Sequence, residues 1–299
     1  MAENKKKIPN EWPRHRWQIL WALLTNSYLV GFTKGTIYQG KLKNLCVPGL
    51  NCYSCPGALG SCPIGALQAV LGSWNFKLAF YVGGFLLFVG GLIGRFVCGF
   101  LCPFGLIQDL LHKIPFPKKI ATFRGDKLLR KLKYGILLVF VILMPLFLVD
   151  VLGQGAPWFC KLICPAGTLE GGVPLVLLNP LMRDAIGWLY LWKNAILIGT
   201  IILAIIIYRP FCKYVCPLGA IYALFNPISM FRYRVEEDKC IHCGKCAAAC
   251  KMQCDPVTNA NSTECIRCGL CKQVCPTDAI SSGFGVQCRK PAADNGEPA

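Results

Sequence analysis

Four long apolar stretches alternate with polar and basic loops over the first two thirds of the chain. They run roughly over residues 17–32, 78–97, 134–152 and 188–208. A helix needs about 20 predominantly apolar residues to cross a bilayer. Thr25, Asn26 and Ser27 interrupt the first stretch, glycines recur in the second, and Pro145 lies in the third. The pattern predicts four transmembrane helices, with a buried helical core of a soluble protein as the alternative.

Composition and charge support the membrane interpretation. Hydrophobic residues make up 54% of the 299 positions and charged residues only 16%, which is more apolar than soluble domains usually are. The net charge of +17 would also suit a nucleic-acid-binding protein. However, the lysines and arginines flank the apolar stretches and concentrate before the first stretch and between the second and third, as the positive-inside rule describes. We therefore predict no nucleic-acid partner and a multi-pass protein of the cell (inner or cytoplasmic) membrane, with both termini cytoplasmic.

The last third of the chain carries two cysteine runs of identical spacing. Tandem C-x2-C-x2-C-x3-C runs are the ligand pattern of a ferredoxin with two 4Fe-4S clusters, and the fourth cysteine of each run binds the other cluster. Structural zinc is the alternative, but zinc sites favour separated C-x2-C pairs. The predicted ligands of one cluster are Cys240, Cys243, Cys246 and Cys275, and those of the other are Cys265, Cys268, Cys271 and Cys250.

A second cysteine motif recurs four times beside the apolar stretches. Each copy has the form Cys-Pro-x-Gly, and the copies begin at Cys62, Cys102, Cys164 and Cys216. The cysteine offers a thiolate, the proline starts a helix, and the glycine lets the backbone approach a cluster closely. The N-terminus of the helix that follows suits an anionic cluster. Three copies have another cysteine four residues upstream, so two such hairpins supply four ligands.

The predicted topology decides which hairpins share a cluster. Cys98, Cys102, Cys212 and Cys216 follow the second and fourth stretches on the cytoplasmic side, so we expect them to hold one 4Fe-4S cluster. Cys160 and Cys164 follow the third stretch, on the opposite side of a hydrocarbon layer about 30 Å thick. Their expected partners are Cys55 and Cys62, with Cys52 and Cys46 as rival ligands. A disulfide in an oxidising compartment is the alternative for this outer set.

Other cofactors lack the residues that they need. The chain has three histidines and none lies in an apolar stretch, so no haem is expected. Nucleotide-binding glycine motifs are also missing, and no catalytic residue is predicted. Cys254 and Cys288 fit no cluster motif and are expected to be free thiols. The sequence thus predicts about four 4Fe-4S clusters per chain and leaves a quinone as an open second cofactor.

The predicted fold class is an α-helical membrane protein with four transmembrane helices and a C-terminal α+β domain resembling a two-cluster ferredoxin. The expected boundaries are a cytoplasmic segment at 1–16, a membrane domain at 17–232, a ferredoxin domain at 233–282 and a disordered tail at 283–299.

The motifs resemble those of the NapH/NosR-type membrane polyferredoxins. The likeness covers residues 16–282 and is close at Cys98-Gly-Phe-Leu-Cys102-Pro103 and Cys212-Lys-Tyr-Val-Cys216-Pro217. The resemblance implies a quinol dehydrogenase component that passes electrons toward a reductase. The outer cysteine set departs from the family pattern and favours a relay with iron on both faces.

We therefore expect a membrane electron-transfer protein that links a cytoplasmic carrier, such as a ferredoxin or flavoprotein, to a quinone or an extracytoplasmic redox partner. Such a chain would be an electron-transfer subunit of an oxidoreductase complex rather than a stand-alone enzyme. The alternatives are a quinol dehydrogenase subunit that feeds a reductase and an accessory polyferredoxin for cofactor maturation or regulation.

Overall fold

The computed structural model describes residues 9–73, 76–150, 154–184 and 186–285. Helices account for most of this part of the chain, and one two-stranded sheet lies near its C-terminal end. The helices are α1 (Trp12–Thr25), α2 (Val30–Lys34), α3 (Pro63–Ser73), α4 (Phe76–Ile93), α5 (Phe96–Phe100), α6 (Pro103–Lys113), α7 (Asp126–Leu129), α8 (Leu132–Ile136), α9 (Met144–Phe147), α10 (Trp158–Leu162), α11 (Pro165–Gly167), α12 (Val173–Leu178), α13 (Pro180–Asp184), α14 (Trp188–Ile206), α15 (Pro210–Tyr214), α16 (Pro217–Phe225), α17 (Lys245–Ala248) and α18 (Leu270–Val274).

The remaining elements are short. Single 3-10 turns lie at Lys41–Asn44 and Glu237–Lys239, and π-helical segments at Leu137–Leu143 and Thr168–Gly172. Strands β1 (Phe231–Val235) and β2 (Ile280–Phe284) pair antiparallel, with Tyr233 opposite Ser282. These strands enclose the C-terminal module, which we define as residues 231–284 and which contains both tandem cysteine runs.

The prediction of four transmembrane helices is wrong. Within the described residues, only α14, which has 19 residues, combines the length and the apolarity needed to cross a membrane, with a mean hydropathy of 2.0 over an 18-residue window. The other apolar helical segments of these ranges are shorter, at Pro63–Ser73, at Phe80–Ile93 within α4, and at Pro165–Leu178, which runs from α11 to α12. Among the described residues, the fourth predicted stretch is thus the one that forms an apolar helix of membrane-spanning length.

Local chemistry explains why the first and third stretches fall short. Helix α1 ends at Thr25, where the Thr25 hydroxyl donates to the Trp21 carbonyl and the Asn26 amide donates to the Ala22 carbonyl. Such side-chain bonds compete with helix propagation. The third stretch is π-helical over Leu137–Leu143, and its helical structure ends at Phe147, the last residue of α9. Pro145 is the second residue of α9. The last residues predicted for it, 151 and 152, lie outside the described ranges.

Helix α1 buries its polar residues and exposes its apolar ones. Arg14, His15 and Gln18 are almost fully buried, whereas Trp17 and Leu23 are 62% and 64% exposed. Helix α14 likewise has only 11% of its residues buried. This is the reverse of the pattern expected for a helix that borders water.

Buried ion pairs join the C-terminal module to the helices. Glu264 accepts from both Arg95 and Lys133, at 3.0 and 2.5 Å. Arg267 is fully buried and donates to the carbonyl oxygens of Ile93 and Asn226. Burial and the neighbouring Arg95 lower the pKa of Lys133 to about 8. Because unpaired buried charges are costly, these contacts hold the module in one position against α4, α8 and α16.

Candidate iron–sulfur centres

The two tandem runs form two cysteine-lined cavities. Each run contributes three cysteines to one cavity and its fourth cysteine to the other. One cavity is lined by Cys240, Cys243, Cys246 and Cys275, which we name the distal ferredoxin site. The other is lined by Cys250, Cys265, Cys268 and Cys271, which we name the proximal ferredoxin site. The structure thus brings together the two sets that the spacing predicted. Cys254 lines the proximal cavity as well, and its amide N–H donates to the Cys250 sulfur at 3.3 Å.

The backbone of each run turns its amides inward by the same device. His242 and Gly244 have positive φ in the first run, and Arg267 and Gly269 have positive φ at the equivalent positions of the second. Left-handed residues of this kind create concave nests of N–H groups that bind anions. Residues with a side chain are rarely stable in this left-handed conformation. In each run, glycine occupies one of the two positions and avoids the strain there.

The hairpins that follow α4 and α14 converge on a deeply buried set of thiols, the buried hairpin site. The thiols lie within electrostatic range of one another, and each of the four residues is at most 8% exposed. The members are Cys98, Cys102, Cys212 and Cys216. The structure therefore brings together this predicted set.

Two arginines tie these hairpins to each other. Arg95 and Arg209 each precede the first cysteine of a hairpin by three residues and are fully buried. Arg95 donates to the carbonyl of Cys212 at 3.4 Å, and Arg209 donates to the carbonyl of Cys98. Burial opposes ionisation of Asp109, but its ion pairs with Arg209 and Arg14 hold the pKa of this carboxyl well below its usual value.

A third cavity of about 360 Å³ contains the remaining hairpin cysteines. Cys52, Cys62, Cys160 and Cys164 line it, and we name this set the cavity hairpin site. The Cys164 thiol lies within electrostatic range of the other three. Cys55, which the repeat favoured as a ligand, does not line this cavity, and Cys46 lines a different one beside Tyr81. The geometry therefore favours the rival Cys52 over Cys55.

The hairpin residues fit an iron–sulfur cluster in both donor chemistry and space. Cys102, Cys164 and Cys216 each begin a helix, and each sulfur accepts from the amide N–H three residues later at 3.3–3.4 Å. Burial raises the pKa of the free Cys62 and Cys160 thiols to about 12, so iron must displace a firmly held proton. In the described ranges, no three His, Cys, Asp or Glu side chains converge on a single metal ion, and no disulfide joins the cysteines.

The two hairpin sites lie side by side, which corrects the expectation that a hydrocarbon layer separates them. The backbone of Leu50 lies close to the Cys102 sulfur, and that of the next residue, Asn51, lies close to the Cys62 sulfur. A β-carbon at Gly49 would lie 3.0 Å from the Cys102 Cα. The cause is α3, which packs against α4. This packing brings Cys62, at the start of α3, close to the hairpin that follows α4.

The buried hairpin site also borders the proximal ferredoxin site. Gly99, between Cys98 and Cys102, lies so close to the Ile266 carbonyl that any β-carbon there would clash with it. Ile266 itself stands between Cys265 and Cys268. The two cysteine loops therefore meet backbone to backbone, with no side chain between them.

Several residues of these sites were missed by the sequence interpretation. Arg95 and Arg209 occupy equivalent positions in the two hairpins of the buried hairpin site, so an Arg-x2-Cys-x3-Cys-Pro pattern could have identified them. Gln68 and Gln108 both stand six residues after a Cys-Pro cysteine and lie within 3.3 Å of other cysteine sulfurs. The Leu50–Asn51 junction has no comparable signal, because it depends on tertiary packing.

Comparisons with known proteins agree with this geometry. Two models described as 4Fe-4S binding domains match the chain, one at residues 78–124 and 191–235 and the other at residues 260–281. The first covers all four cysteines of the buried hairpin site. An uncharacterized protein of Methanocaldococcus jannaschii is 30% identical over 66% of this chain and 76% of its own length.

Two further relatives have informative names. The putative electron transport protein YccM of Escherichia coli is 30% identical over 68% of this chain and 54% of its own length. The regulatory protein NosR of Stutzerimonas stutzeri is 27% identical over 54% of this chain and 21% of its own length. This chain belongs to the NosR/NapH-type polyferredoxin family. It is an iron–sulfur protein of electron transfer and works with redox partners. No solved structure matches the chain.

Proposed function

We propose that this polyferredoxin is a membrane-bound relay of four 4Fe-4S centres. It would carry electrons between a soluble carrier on the cytoplasmic side and a quinone or an extracytoplasmic redox partner. When bound, such clusters accept and release single electrons. The role of the protein is to hold them close together and to adjust their potentials through burial and hydrogen bonds.

The observation that carries this proposal is the unbroken row of cysteine sets. The distal and proximal ferredoxin sites are connected because each tandem run contributes its fourth cysteine to the other site. The Gly99–Ile266 contact joins the proximal site to the buried hairpin site. The Leu50–Asn51 backbone then joins the two hairpin sites. A protein that merely stored iron would have no need of such close contacts between successive sites.

Exposure suggests where electrons enter and leave the row. Cys243 is the exposed cysteine of the distal ferredoxin site, and Ile241 beside it is 62% exposed. A soluble carrier could approach this loop closely. At the other end, the cavity hairpin site opens beside Lys161 and Lys193, which provides a second point of exchange.

Helices α1 and α14, which expose apolar side chains, support membrane attachment. Polar residues in membrane helices face the protein interior, and apolar residues face lipid. The outward faces of α1 and α14 fit that description, because Trp17, Leu23, Trp188 and Ile198 are each more than half exposed. We propose that α14 crosses the bilayer and that α1, which packs against α5 and α6, turns its exposed apolar side chains toward lipid.

The proposal is tested by a substitution at Gly99 that moves the buried hairpin site away from the proximal ferredoxin site. A Gly99→Val variant should keep its full iron content but slow the reduction of the hairpin centres, because the added side chain must push the Ile266 loop away. A Gly83→Val variant is the matched control, since a β-carbon at Gly83 meets nothing within 4 Å. Freeze-quench EPR after mixing with reduced soluble ferredoxin would follow each centre.

The relay is contradicted if Gly99→Val contains full iron and its hairpin centres are reduced at the wild-type rate. Gly99→Ala gives a milder displacement in case the valine variant assembles poorly. Membrane attachment has a separate test: the wild-type protein should stay in the membrane fraction after a high-salt wash, and its release by that wash would refute the proposed span.

A further inference from the structure

Two glutamines reach across the hairpin sites in the same way. Gln68 and Gln108 each stand six residues after the cysteine of a Cys-Pro motif, and both are at most 1% exposed. The Gln68 side-chain nitrogen lies 3.3 Å from the Cys160 sulfur, and that of Gln108 lies 3.2 Å from the Cys212 sulfur. Each glutamine thus starts from one hairpin and donates to the first cysteine of the partner hairpin.

The neighbours determine which end of each amide faces the sulfur. The Phe159 amide N–H donates to Gln68 Oε1 at 2.9 Å, so the NH₂ group must point to Cys160. Gln108 Nε2 also lies 3.4 Å from the Phe104 carbonyl, which is an acceptor. Because both neighbours of this nitrogen accept hydrogen bonds, it must be the NH₂ end.

The other two copies of the motif carry Glu170 and Tyr222 at the position of the glutamines, six residues after the Cys-Pro cysteine. Both side chains form hydrogen bonds to backbone groups. Glu170 accepts from the Cys52 amide at 2.7 Å, and the Tyr222 hydroxyl donates to the Pro48 carbonyl at 3.0 Å. Each hairpin site therefore has one N–H donor of this type. The duplicated arrangement indicates a property of the site rather than an accident of packing at one glutamine.

We infer that Gln68 and Gln108 are positioning residues that raise the reduction potential of the cavity and buried hairpin centres, respectively. Reduction adds one electron, and its negative charge is shared by the ligand sulfurs. An N–H group that donates to such a sulfur stabilises the reduced form more than the oxidised form. The inference rests on the proposed function, because it requires a cluster at each hairpin site.

Methionine is the appropriate substitution, since it fills a similar volume but has no N–H donor. In anaerobically purified holoprotein, Gln68→Met should shift the one-electron equilibrium of the cavity hairpin centre about tenfold toward oxidation, or ~59 mV. The buried hairpin centre should keep its potential. Gln108→Met should have the opposite selectivity, so each variant is the control for the other. EPR-monitored redox titration of the individual centres measures both effects.

A purely structural role predicts different results. If the glutamines only stabilise the contact between the two hairpins of a site, the variants should lose iron, and the clusters that remain should keep their potentials. Gln68→Leu and Gln108→Leu provide a second pair of uncharged variants without a donor, and should lower the same potentials if the methionine variants assemble poorly.

The inference is overturned if fully loaded variants have unchanged potentials, or if either variant shifts both centres equally. A wild-type protein without a cluster at a hairpin site would instead refute the proposed function, and with it the role of that glutamine.

Discussion

The buried and cavity hairpin sites are built from the same short motif but lie in different surroundings. Arg95 and Arg209 enclose the buried hairpin site and bind the backbone of its cysteines. At the cavity hairpin site, Pro157 occupies the position equivalent to those arginines. The charged neighbours there include Lys161, Lys193 and Glu170. The comparison teaches that the repeat supplies the ligands, whereas the residues around it supply the electrostatic environment.

The largest expected effect is loss of a whole centre, and it tests which thiols belong to the cavity hairpin site. Cys52→Ser should remove one cluster, or about 4 iron atoms, because Cys52 lines the cavity. Cys55→Ser is the matched control and should keep full iron. Iron analysis and EPR of anaerobically purified variants measure this. The reverse result would restore Cys55, the ligand that the repeat alone favoured.

A second prediction concerns the stability of the buried hairpin site. Asp109→Asn removes the carboxylate that pairs with Arg14 and Arg209. The buried Arg209 guanidinium then loses its counter-charge, whereas Arg14 keeps its pair with Glu11 at 3.1 Å. The expected loss is about 3–5 kcal/mol of unfolding free energy, measured by denaturant titration of the wild-type and variant proteins in detergent. An exposed pair provides the control: Glu236→Gln, opposite the 59%-exposed Lys239, should change stability by less than about 1 kcal/mol. Equal losses in both variants would refute the special role of the buried network.

The two sites should also differ in reduction potential. Arg95 and Arg209 both lie within electrostatic range of Cys212, and buried positive charge favours the reduced, more negative cluster. We expect the buried hairpin centre to be reduced at a higher potential than the cavity hairpin centre. Redox titration of the wild-type protein decides this, and an inverted order would show that another factor outweighs the arginines.

The smallest effect is expected at Tyr222, the buried residue between the two sites. Tyr222→Phe removes the hydroxyl that donates to the Pro48 carbonyl at 3.0 Å. The loss of one hydrogen bond should cost about 0.5–1.5 kcal/mol and leave both clusters and their potentials unchanged. Thermal unfolding and EPR together test this, and loss of either cluster would show that the hydroxyl has a larger role.

Cysteine spacing could be interpreted from the sequence because local geometry determines it. The left-handed positions at His242 and Gly244 recur at Arg267 and Gly269, so each tandem run folds in the same way. Hydropathy was less informative, because it does not show that α1 stops at Thr25 or that the third stretch becomes π-helical. The relative position of the hairpin sites depends on α3 packing against α4, which no motif encodes.

The central claim is that four adjacent cysteine sets each hold a 4Fe-4S cluster. Iron and sulfide analysis of the anaerobically purified protein, combined with EPR of its reduced form, tests this claim most directly. We predict roughly 16 iron atoms per chain and magnetic coupling between the buried hairpin centre and both of its neighbours. A reproducible value of about 8 iron atoms, with only ferredoxin-type signals, would contradict the account.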